Sequence, residues 1–287
     1  MNTKITLLLV LALFSVSTSP IIGRALTGVG AVSISFWRMF IAAIVLWLFS
    51  AIRPQKKMHS KNNLFKTLFA GVLLGIHFAL FFEAIKITKI ANATFLGTLA
   101  PLFTLFIELF VLKRKYNRIV LIGLLFTLIG SIIILGYQFD LESKYTLGNV
   151  YAVICSICIA LALMIGERVR SQENTIVYTR TLYLSASCTL FFIAFGINEE
   201  LTGYKFNEYL GLAFLGLVPT ILGHNSIYYS IRYVSPTIAA AFPLGEPIIA
   251  TIFAYFIFHE QITINIFLGG IITMSGLILI SKYKKIK

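Results

Sequence analysis

The chain has 287 residues, of which 58% are hydrophobic and only 12% are charged, and its mean hydropathy is +0.90. Ordinary soluble domains carry about 25% charged residues, so this composition excludes a soluble globular protein and indicates a membrane protein. The formal net charge of +13 would suggest nucleic-acid binding in a soluble domain, but here the positions of the basic residues attribute it to membrane topology.

Ten apolar runs follow one another along the chain, and each is about long enough to cross a hydrocarbon core of about 30 Å. The sequence therefore predicts an all-α membrane protein with ten transmembrane helices. The predicted spans cover residues 5–25, 33–52, 65–87, 91–112, 120–136, 147–166, 178–196, 209–229, 235–258 and 264–281.

The first span could be mistaken for a cleaved signal peptide, because Lys4 precedes LLLVLALF and SVSTSP. No A-x-A cleavage motif follows, and removal of this segment would reverse the charge of every later loop relative to the membrane. With the segment kept, 18 of the 24 basic residues fall on one side and five on the other, while Arg38 lies within a span. The positive-inside rule then predicts that both termini lie in the cytoplasm. The expected location is the cytoplasmic (inner) membrane of the cell.

Arg38 is predicted well inside the second span, roughly 11 Å below the outer surface. A charge at that depth is costly and needs a partner or a cavity. Glu246 on the ninth span lies at a similar predicted depth and is the favoured partner. Pairing with Glu83 and snorkelling to the outer interface are the alternatives.

The third and fourth spans carry the next candidates. His77 and Phe81 share one face of a helix, where they could stack on a planar substrate, although a histidine bonded to a neighbouring carbonyl is an equally simple interpretation. Asn92 opens the fourth span as a candidate substrate ligand, and Pro101 is a candidate hinge. Glu108, close to Lys113 and Arg114 in the sequence, is interpreted as a solvated charge at the cytoplasmic interface.

Cys155 and Cys158 form a CxxC motif within the sixth span. In a soluble protein this spacing suggests a redox or metal site. Within a membrane helix it also places two small side chains on one face, which favours close helix packing. No second pair completes a site, so we predict neither a metal nor any other cofactor.

The eighth span ends in a polar aromatic stretch that contains His224, Asn225 and Tyr228. His224 and Tyr228 are four residues apart and therefore lie on one face of the helix. All three are candidate substrate ligands, and the alternative for Tyr228 is an anchor in the aromatic belt at the membrane interface.

The ninth span contains a carboxylate in an otherwise apolar segment, AAFPLGEPIIATIFAY. Glu246 is predicted roughly 16 Å from the inner end of the span, near the bilayer centre. Pro243 and Pro247 remove two backbone donors and weaken the helix there, so both are candidate hinges. Glu246 is therefore predicted to bind substrate or a proton, with a purely structural carboxylate as the alternative.

The sequence also repeats internally. A shift of 146 positions aligns Pro101 with Pro247, Gly123 with Gly269 and Gly130 with Gly276. We predict two repeats of five helices, residues 1–140 and 141–287, and an odd helix number inverts the second repeat in the membrane. Inverted repeats with interrupted helices are typical of secondary transporters.

Several segments resemble the EamA-type members of the drug/metabolite transporter superfamily: FWRMFIAAIVLWL, GTLAPLFTLFIELFVL, GHNSIYYSIRYVSPT, LGEPIIATIFAYFIFHEQIT and LGGIITMSGLILIS. The resemblance covers both halves, although the first span reads SPIIGRA in place of the Trp-Gly pair common in that family. It implies two inverted EamA repeats, a cavity lined mainly by spans 1, 3, 4, 6, 8 and 9, a peripheral pair of spans 5 and 10, and transport of a small organic metabolite.

These features together predict a secondary transporter of an amino acid or similar metabolite, working by alternating access with or without proton coupling. A passive channel is the main alternative, and an intramembrane acyltransferase with His77 or His224 as base is a more remote one. The expected partners are a small-molecule substrate and the lipid bilayer, with no nucleic acid, and the chain is expected to act as a monomer or homodimer.

Overall fold

The computed structural model describes residues 1–88, 90–135, 143–258 and 264–282, and within these ranges every regular element is helical. The α-helices in chain order are α1 Thr3–Val16, α2 Ser19–Ala25, α3 Ala31–Ile52, α4 Lys61–Ile87, α5 Ile90–Gly97, α6 Ala100–Phe106, α7 Arg118–Leu135, α8 Thr146–Arg170, α9 Thr175–Gly196, α10 Phe206–Leu215, α11 Asn225–Ser230, α12 Pro236–Ala241, α13 Glu246–Phe258 and α14 Ile264–Ser281. The helical prediction is therefore confirmed for the described residues.

Nine of the ten predicted spans correspond, in the described ranges, to helical segments that are long and apolar enough to cross a membrane. The fifth span corresponds to α7, whose apolar stretch Arg118–Ile134 is shorter. Large apolar side chains such as Phe69, Phe110 and Phe192 are exposed on the outside of the bundle, as expected for a surface that faces lipid. The chain is thus a multi-pass membrane protein, and the count of ten spans remains a prediction.

Polar side chains cap several helices where they leave the apolar region. The Asn174 side chain accepts hydrogen bonds from the backbone N–H groups of Ile176 and Val177 at the start of α9. The Ser60 hydroxyl accepts one from Asn63 N at the start of α4. These bonds satisfy N–H groups that the first turn of a helix leaves without a partner.

Three of the described spans are interrupted by a turn or a 3-10 segment, and hydroxyl groups satisfy part of the backbone at the interruptions. The first span breaks between α1 and α2, the fourth between α5 and α6, and the ninth at a 3-10 segment, Phe242–Gly245. Ser17 Oγ donates to Leu13 O at 2.7 Å, and Ser131 Oγ on α7 donates to Leu244 O at 3.0 Å. Such bonds allow irregular backbone to persist inside the membrane region.

The helices α7 and α14 pack closely through glycines that the sequence repeat aligns. A Cβ atom on Gly130 would lie 2.6 Å from Gly269 O, and one on Gly276 would lie 2.5 Å from Gly123 O. Only glycine permits this approach of two backbones. These helices are the fifth and tenth spans, the pair that the family resemblance implies.

Two predicted features fall outside the described residues. The joint between the repeats, at residues 140 and 141, is one, and the HE motif of the ninth span, at residues 259–260, is the other. The inverted relation of the two halves stays a prediction, which the matching interruptions of the fourth and ninth spans support.

Candidate functional site

A cavity lies between the interrupted spans and opens toward solvent, and the space free of protein atoms within it and at its mouth is about 670 Å³. Its lining is mostly apolar and aromatic with a few charged side chains, as is typical of sites for small organic ligands. Its wall comes from spans 1, 2, 3, 4, 6, 8 and 9, which are the spans implied by the family resemblance with the second added. The lining residues are Val16, Ser19, Arg38, His77, Phe78, Phe81, Gly97, Thr98, Ala100, Ile159, Leu163, His224, Ile227, Ala240, Pro243 and Glu246.

Arg38 reaches the cavity from α3 and is only 1% exposed. Its Nε donates to Thr220 Oγ1 at 2.8 Å, its Nη1 donates to Ser19 Oγ at 2.6 Å, and its guanidinium lies 4.1 Å from the centre of the Phe78 ring. Uncharged partners thus hold it in place. Burial contradicts the snorkelling alternative, and among the described residues Arg38 forms no ion pair with Glu246 or Glu83.

Glu246 is the first residue of α13 and faces the same cavity with 6% of its surface exposed. Within the described part of the chain, its carboxylate forms no hydrogen bond and no ion pair. The positive end of the α13 dipole favours a negative charge at this position. The acidic and the basic side chain therefore share the cavity without direct contact.

Aromatic and imidazole rings form the wall next to Arg38. His77 Nδ1 lies 2.8 Å from Cys155 O, and because a carbonyl can only accept, this nitrogen carries the hydrogen. His77 also stacks with Phe81, their ring centres 6.2 Å apart and their planes at 15°. Phe78 contacts His224 edge-on at 5.3 Å. The two interpretations of His77, a carbonyl-bonded histidine and a residue of the binding wall, are thus compatible in this geometry.

The three predicted hinge prolines all lie at helix interruptions, although their positions differ. Pro243 is part of the 3-10 segment and lines the cavity. Pro101 and Pro247 are the second residues of α6 and α13, where a helix tolerates proline because the missing N–H has no partner within the helix. Of the three, Pro243 is therefore the one that interrupts the backbone at the cavity.

Three residues proposed as substrate ligands do not line the cavity. Asn225 Oδ1 accepts a hydrogen bond from Tyr183 at 2.8 Å. Tyr228 is fully buried against Tyr178, which also contradicts its alternative role as an interfacial anchor. Asn92 Nδ2 donates to Asn149 Oδ1 at 2.9 Å in the interior. Helical spacing alone could not distinguish the cavity side of these helices from their packed sides.

Sequence reasoning missed the groups that position Arg38, namely Ser19 and Thr220. Thr220 lies in a π-helical segment, Gly216–His224, that contains Pro219 and continues α10. Such π-helical turns are frequent at functional sites. A proline within the apolar eighth span was the available signal, since it disrupts the regular backbone bonds there.

The interpretation of Glu108 as a solvated interface charge is wrong, because this residue has no exposed surface. Its carboxylate accepts hydrogen bonds from Arg114, Tyr116 and the Thr237 hydroxyl. Burial beside this carboxylate raises the pKa of Tyr116, and hydrogen bonding to Glu167 raises the pKa of Arg114. The error arose because distance from the bilayer centre was equated with contact with water.

Metal ligation has no support in the described part of the chain, where no group of three or more His, Cys, Asp or Glu side chains could hold an ion. Cys155 and Cys158 are buried free thiols. A Cβ atom on Gly97 would lie 3.4 Å from Cys155 Sγ, which is ordinary packing distance.

Comparison with known proteins matches this architecture to transporters. Residues 3–136 and 146–282 each match the model of the EamA-like transporter family. An uncharacterized transporter of Clostridium kluyveri is 24% identical over 274 residues, which cover 92% of this chain and 88% of the relative. An uncharacterized transporter of Archaeoglobus fulgidus is 25% identical over 287 residues, with coverage of 97% and 98%.

A solved crystal structure has the same fold. It superposes with a TM-score of 0.83 and covers 97% of this chain and 96% of its own, at 16% sequence identity. At that identity the similarity concerns the arrangement of the helices and carries no information on the substrate.

Proposed function

Since the chain belongs to the EamA-like transporter family, we propose that it is a secondary transporter that carries an amino acid or a similar small metabolite across the cytoplasmic membrane by alternating access. The ten-helix arrangement in two inverted repeats is part of this proposal. The fourth and ninth spans support it, because both are interrupted and a single shift aligns Pro101 with Pro247.

One observation carries the proposal: Arg38 and Glu246 line one cavity without a direct ion pair. A charged group buried without a partner of opposite charge is costly, so a site of this kind favours a ligand that supplies the missing contacts. A molecule with an anionic and a cationic group would satisfy both residues. Phe78 and Phe81 offer apolar surface to the rest of such a molecule.

Proton coupling also belongs to the proposal, with Glu246 as the carrier of the proton. A carboxylate that faces a cavity can release a proton when a substrate cation arrives and regain it when the cation leaves. A passive channel is less well supported, because a pore would be expected to carry polar groups along its length. In the described residues, the charged groups of the cavity are confined to Arg38 and Glu246 apart from the two histidines.

The test is uptake by the purified protein in liposomes. A panel of labelled amino acids and related metabolites is supplied with and without a pH gradient across the membrane. We expect saturable uptake of at least one zwitterionic compound, exchange of that compound against an unlabelled pool, and stimulation by the gradient. Uptake that never saturates and shows no exchange would favour the channel.

Membrane orientation has its own test. The excess of basic residues on one side predicts a cytoplasmic C-terminus and an external Lys144. A reporter fused after Lys287 should therefore report a cytoplasmic position, and Lys144→Cys should react with an impermeant thiol reagent from outside. A reporter signal from the external side would contradict ten spans with both ends inside.

A further inference from the structure

Glu108 is the centre of a buried polar cluster that lies outside the cavity wall, and we call it the Glu108 cluster. Glu108 itself lies on a π-helical segment, Ile107–Val111, that continues α6. The cluster comprises Thr104, Glu108, Arg114, Tyr116, Glu167, Ser235 and Thr237. None of these residues lines the cavity.

The cluster joins two of the interrupted spans, the fourth and the ninth, one from each half of the chain. The Thr237 hydroxyl and backbone N–H at the start of α12 both donate to Glu108 Oε2. The Thr237 hydroxyl also lies 3.0 Å from Thr104 Oγ1 on α6. Tyr116 bridges the same two elements, since its hydroxyl bonds to both Glu108 and Ser235, the capping residue of α12.

A third helix is tied to the cluster through Arg114. Its Nη1 and Nη2 donate to the two carboxylate oxygens of Glu167 near the end of α8, at 2.9 and 2.8 Å, while Nη1 also donates to Glu108. This two-pronged geometry fixes direction as well as distance. Helices α6, α8 and α12 are therefore held together at one end of the bundle.

That end is adjacent to the cavity along all three helices. Thr237 precedes the cavity residue Ala240 by about one helical turn, and Glu167 follows the cavity residue Leu163 by about one turn. Glu108 follows the cavity residue Ala100 by about two turns. The cluster thus lies between the cavity and the membrane face on which residues 113–117 emerge.

We propose that the Glu108 cluster is a latch, in which Glu108 positions the start of α12 against α6 and so closes the cavity at this end. The inference rests on the proposed function, because a carrier must open this end to exchange its substrate. By the charge distribution of the sequence, this is the cytoplasmic end.

A carboxylate suits such a latch because it can accept hydrogen bonds both when this end of the cavity is closed and when it is open. When the end is closed, Glu108 is dry and accepts hydrogen bonds from Arg114, Tyr116 and Thr237. When α12 moves away, water can replace Thr237 as donor, since the cluster lies next to the exposed loop residue Lys115. An apolar contact would instead expose its surface on opening, at a cost that increases with area.

Accessibility of a cavity cysteine tests the latch without knowledge of the substrate. Ala240→Cys is introduced after replacement of Cys155, Cys158 and Cys188, and its reaction rate with an impermeant maleimide is measured from each face of sealed vesicles. Lys115→Cys, in a separate sample, identifies the face that carries the cluster. Glu108→Gln, which keeps the size of the side chain but removes its charge, should accelerate reaction from that face by about tenfold, equivalent to about 1.4 kcal/mol.

Thr237→Val is the milder variant, because it removes one hydroxyl donor and leaves Arg114 and Tyr116 in place. It tests the latch even if Glu108→Gln does not fold. It should accelerate reaction from the same face by about threefold. The matched control is Glu173→Gln. Glu173 is also a buried carboxylate, but it accepts from His59 N before α4 and from Asn63 Nδ2 in the first turn of α4.

The outcomes separate the latch from the proposed function. Acceleration in both cluster variants with an unchanged rate in Glu173→Gln supports the latch, whether or not a transported compound has been found. Unchanged rates in the cluster variants, equal acceleration in the control, or acceleration only from the opposite face would overturn it. In any of these cases, saturable uptake in liposomes would still support the transporter.

Discussion

Two carboxylates lie in corresponding interrupted spans, and their surroundings are opposite. Glu108, after the interruption of the fourth span, has no exposed surface and accepts hydrogen bonds from three side chains. Glu246, at the interruption of the ninth span, borders a cavity and has no hydrogen-bonding partner among the described residues. The interrupted fourth and ninth spans therefore place their carboxylates in different surroundings.

The difference shows how burial and hydrogen bonding together distinguish a structural carboxylate from one that can bind a ligand. A buried charge that is fully hydrogen-bonded contributes to the folded state, and removal of one partner is destabilising. A buried charge without partners contributes little to stability or opposes it, and it persists where a ligand or a proton uses it. Stability and transport should thus respond in opposite ways to mutation of these two residues.

The largest expected effect is on the stability of Glu108→Ala. Its removal leaves the donors of Tyr116 and Thr237 without their acceptor, so the free energy of unfolding should fall by about 3 kcal/mol, the lower end of the range for a broken buried pair because Arg114 keeps Glu167. Denaturant unfolding in mild detergent measures this change. Glu246→Ala is the comparison and should unfold at the same denaturant concentration as the wild type or a higher one. Equal destabilisation by both would remove the distinction.

Glu246→Gln should have the next largest effect, on transport. Glutamine keeps the size of the side chain but neither binds a cationic group through charge nor exchanges a proton. Loss of a hydrogen bond to a charged group costs about 1.5–3 kcal/mol, so uptake in liposomes should fall by about tenfold or more and lose its response to a pH gradient.

The control for Glu246→Gln is Glu83→Gln, which changes a carboxylate on α4 that does not line the cavity. This control should transport like the wild type. Wild-type transport by Glu246→Gln across the pH range would leave Glu246 as a structural residue.

The sequence predicted the helices well because hydrophobicity determines them. A span must be an apolar run of nearly fixed length, and the predicted tenth span, residues 264–281, has the same limits as α14. Prolines also indicated the interruptions of the fourth and ninth spans. The helical membrane architecture therefore followed from one-dimensional properties of the chain.

The site was predicted less completely, because its geometry depends on which side of each helix faces a neighbour. Arg38, His77, Phe81, His224 and Glu246 line the cavity, and their role in binding stays a prediction. Asn92 and Tyr228 are equally polar in sequence but bond or pack within the protein interior. Glu108 was misjudged for a related reason, since its partners Arg114 and Thr237 come from opposite halves of the chain.

Thr220→Val tests whether Thr220 holds Arg38 in place at the cavity. The Thr220 hydroxyl accepts from Arg38 Nε, so valine should let the guanidinium move away from the position it takes opposite Glu246. We expect KM to rise by about fivefold, equivalent to about 1 kcal/mol. Thr179→Val is the matched control, because among the described residues that buried hydroxyl bonds only to Thr175 O in its own helix. A similar KM for the two variants would show that Thr220 does not position Arg38 for binding.

The smallest expected effect concerns the interruption that separates the two carboxylate environments. Pro243 lies within the 3-10 segment, whereas Pro247 is the second residue of α13. Alanine at 243 restores an N–H and removes the ring that opposes a continuous helix, so it should stiffen the joint between α12 and α13. Exchange of substrate in liposomes should slow by about threefold, equivalent to about 0.6 kcal/mol, at unchanged KM. Pro247→Ala should change the rate less, because proline already suits the first turn of a helix. If the two variants slow exchange equally, Pro243 is not the point at which the ninth span bends. A different part of the chain would then have to move for the cavity to open and close.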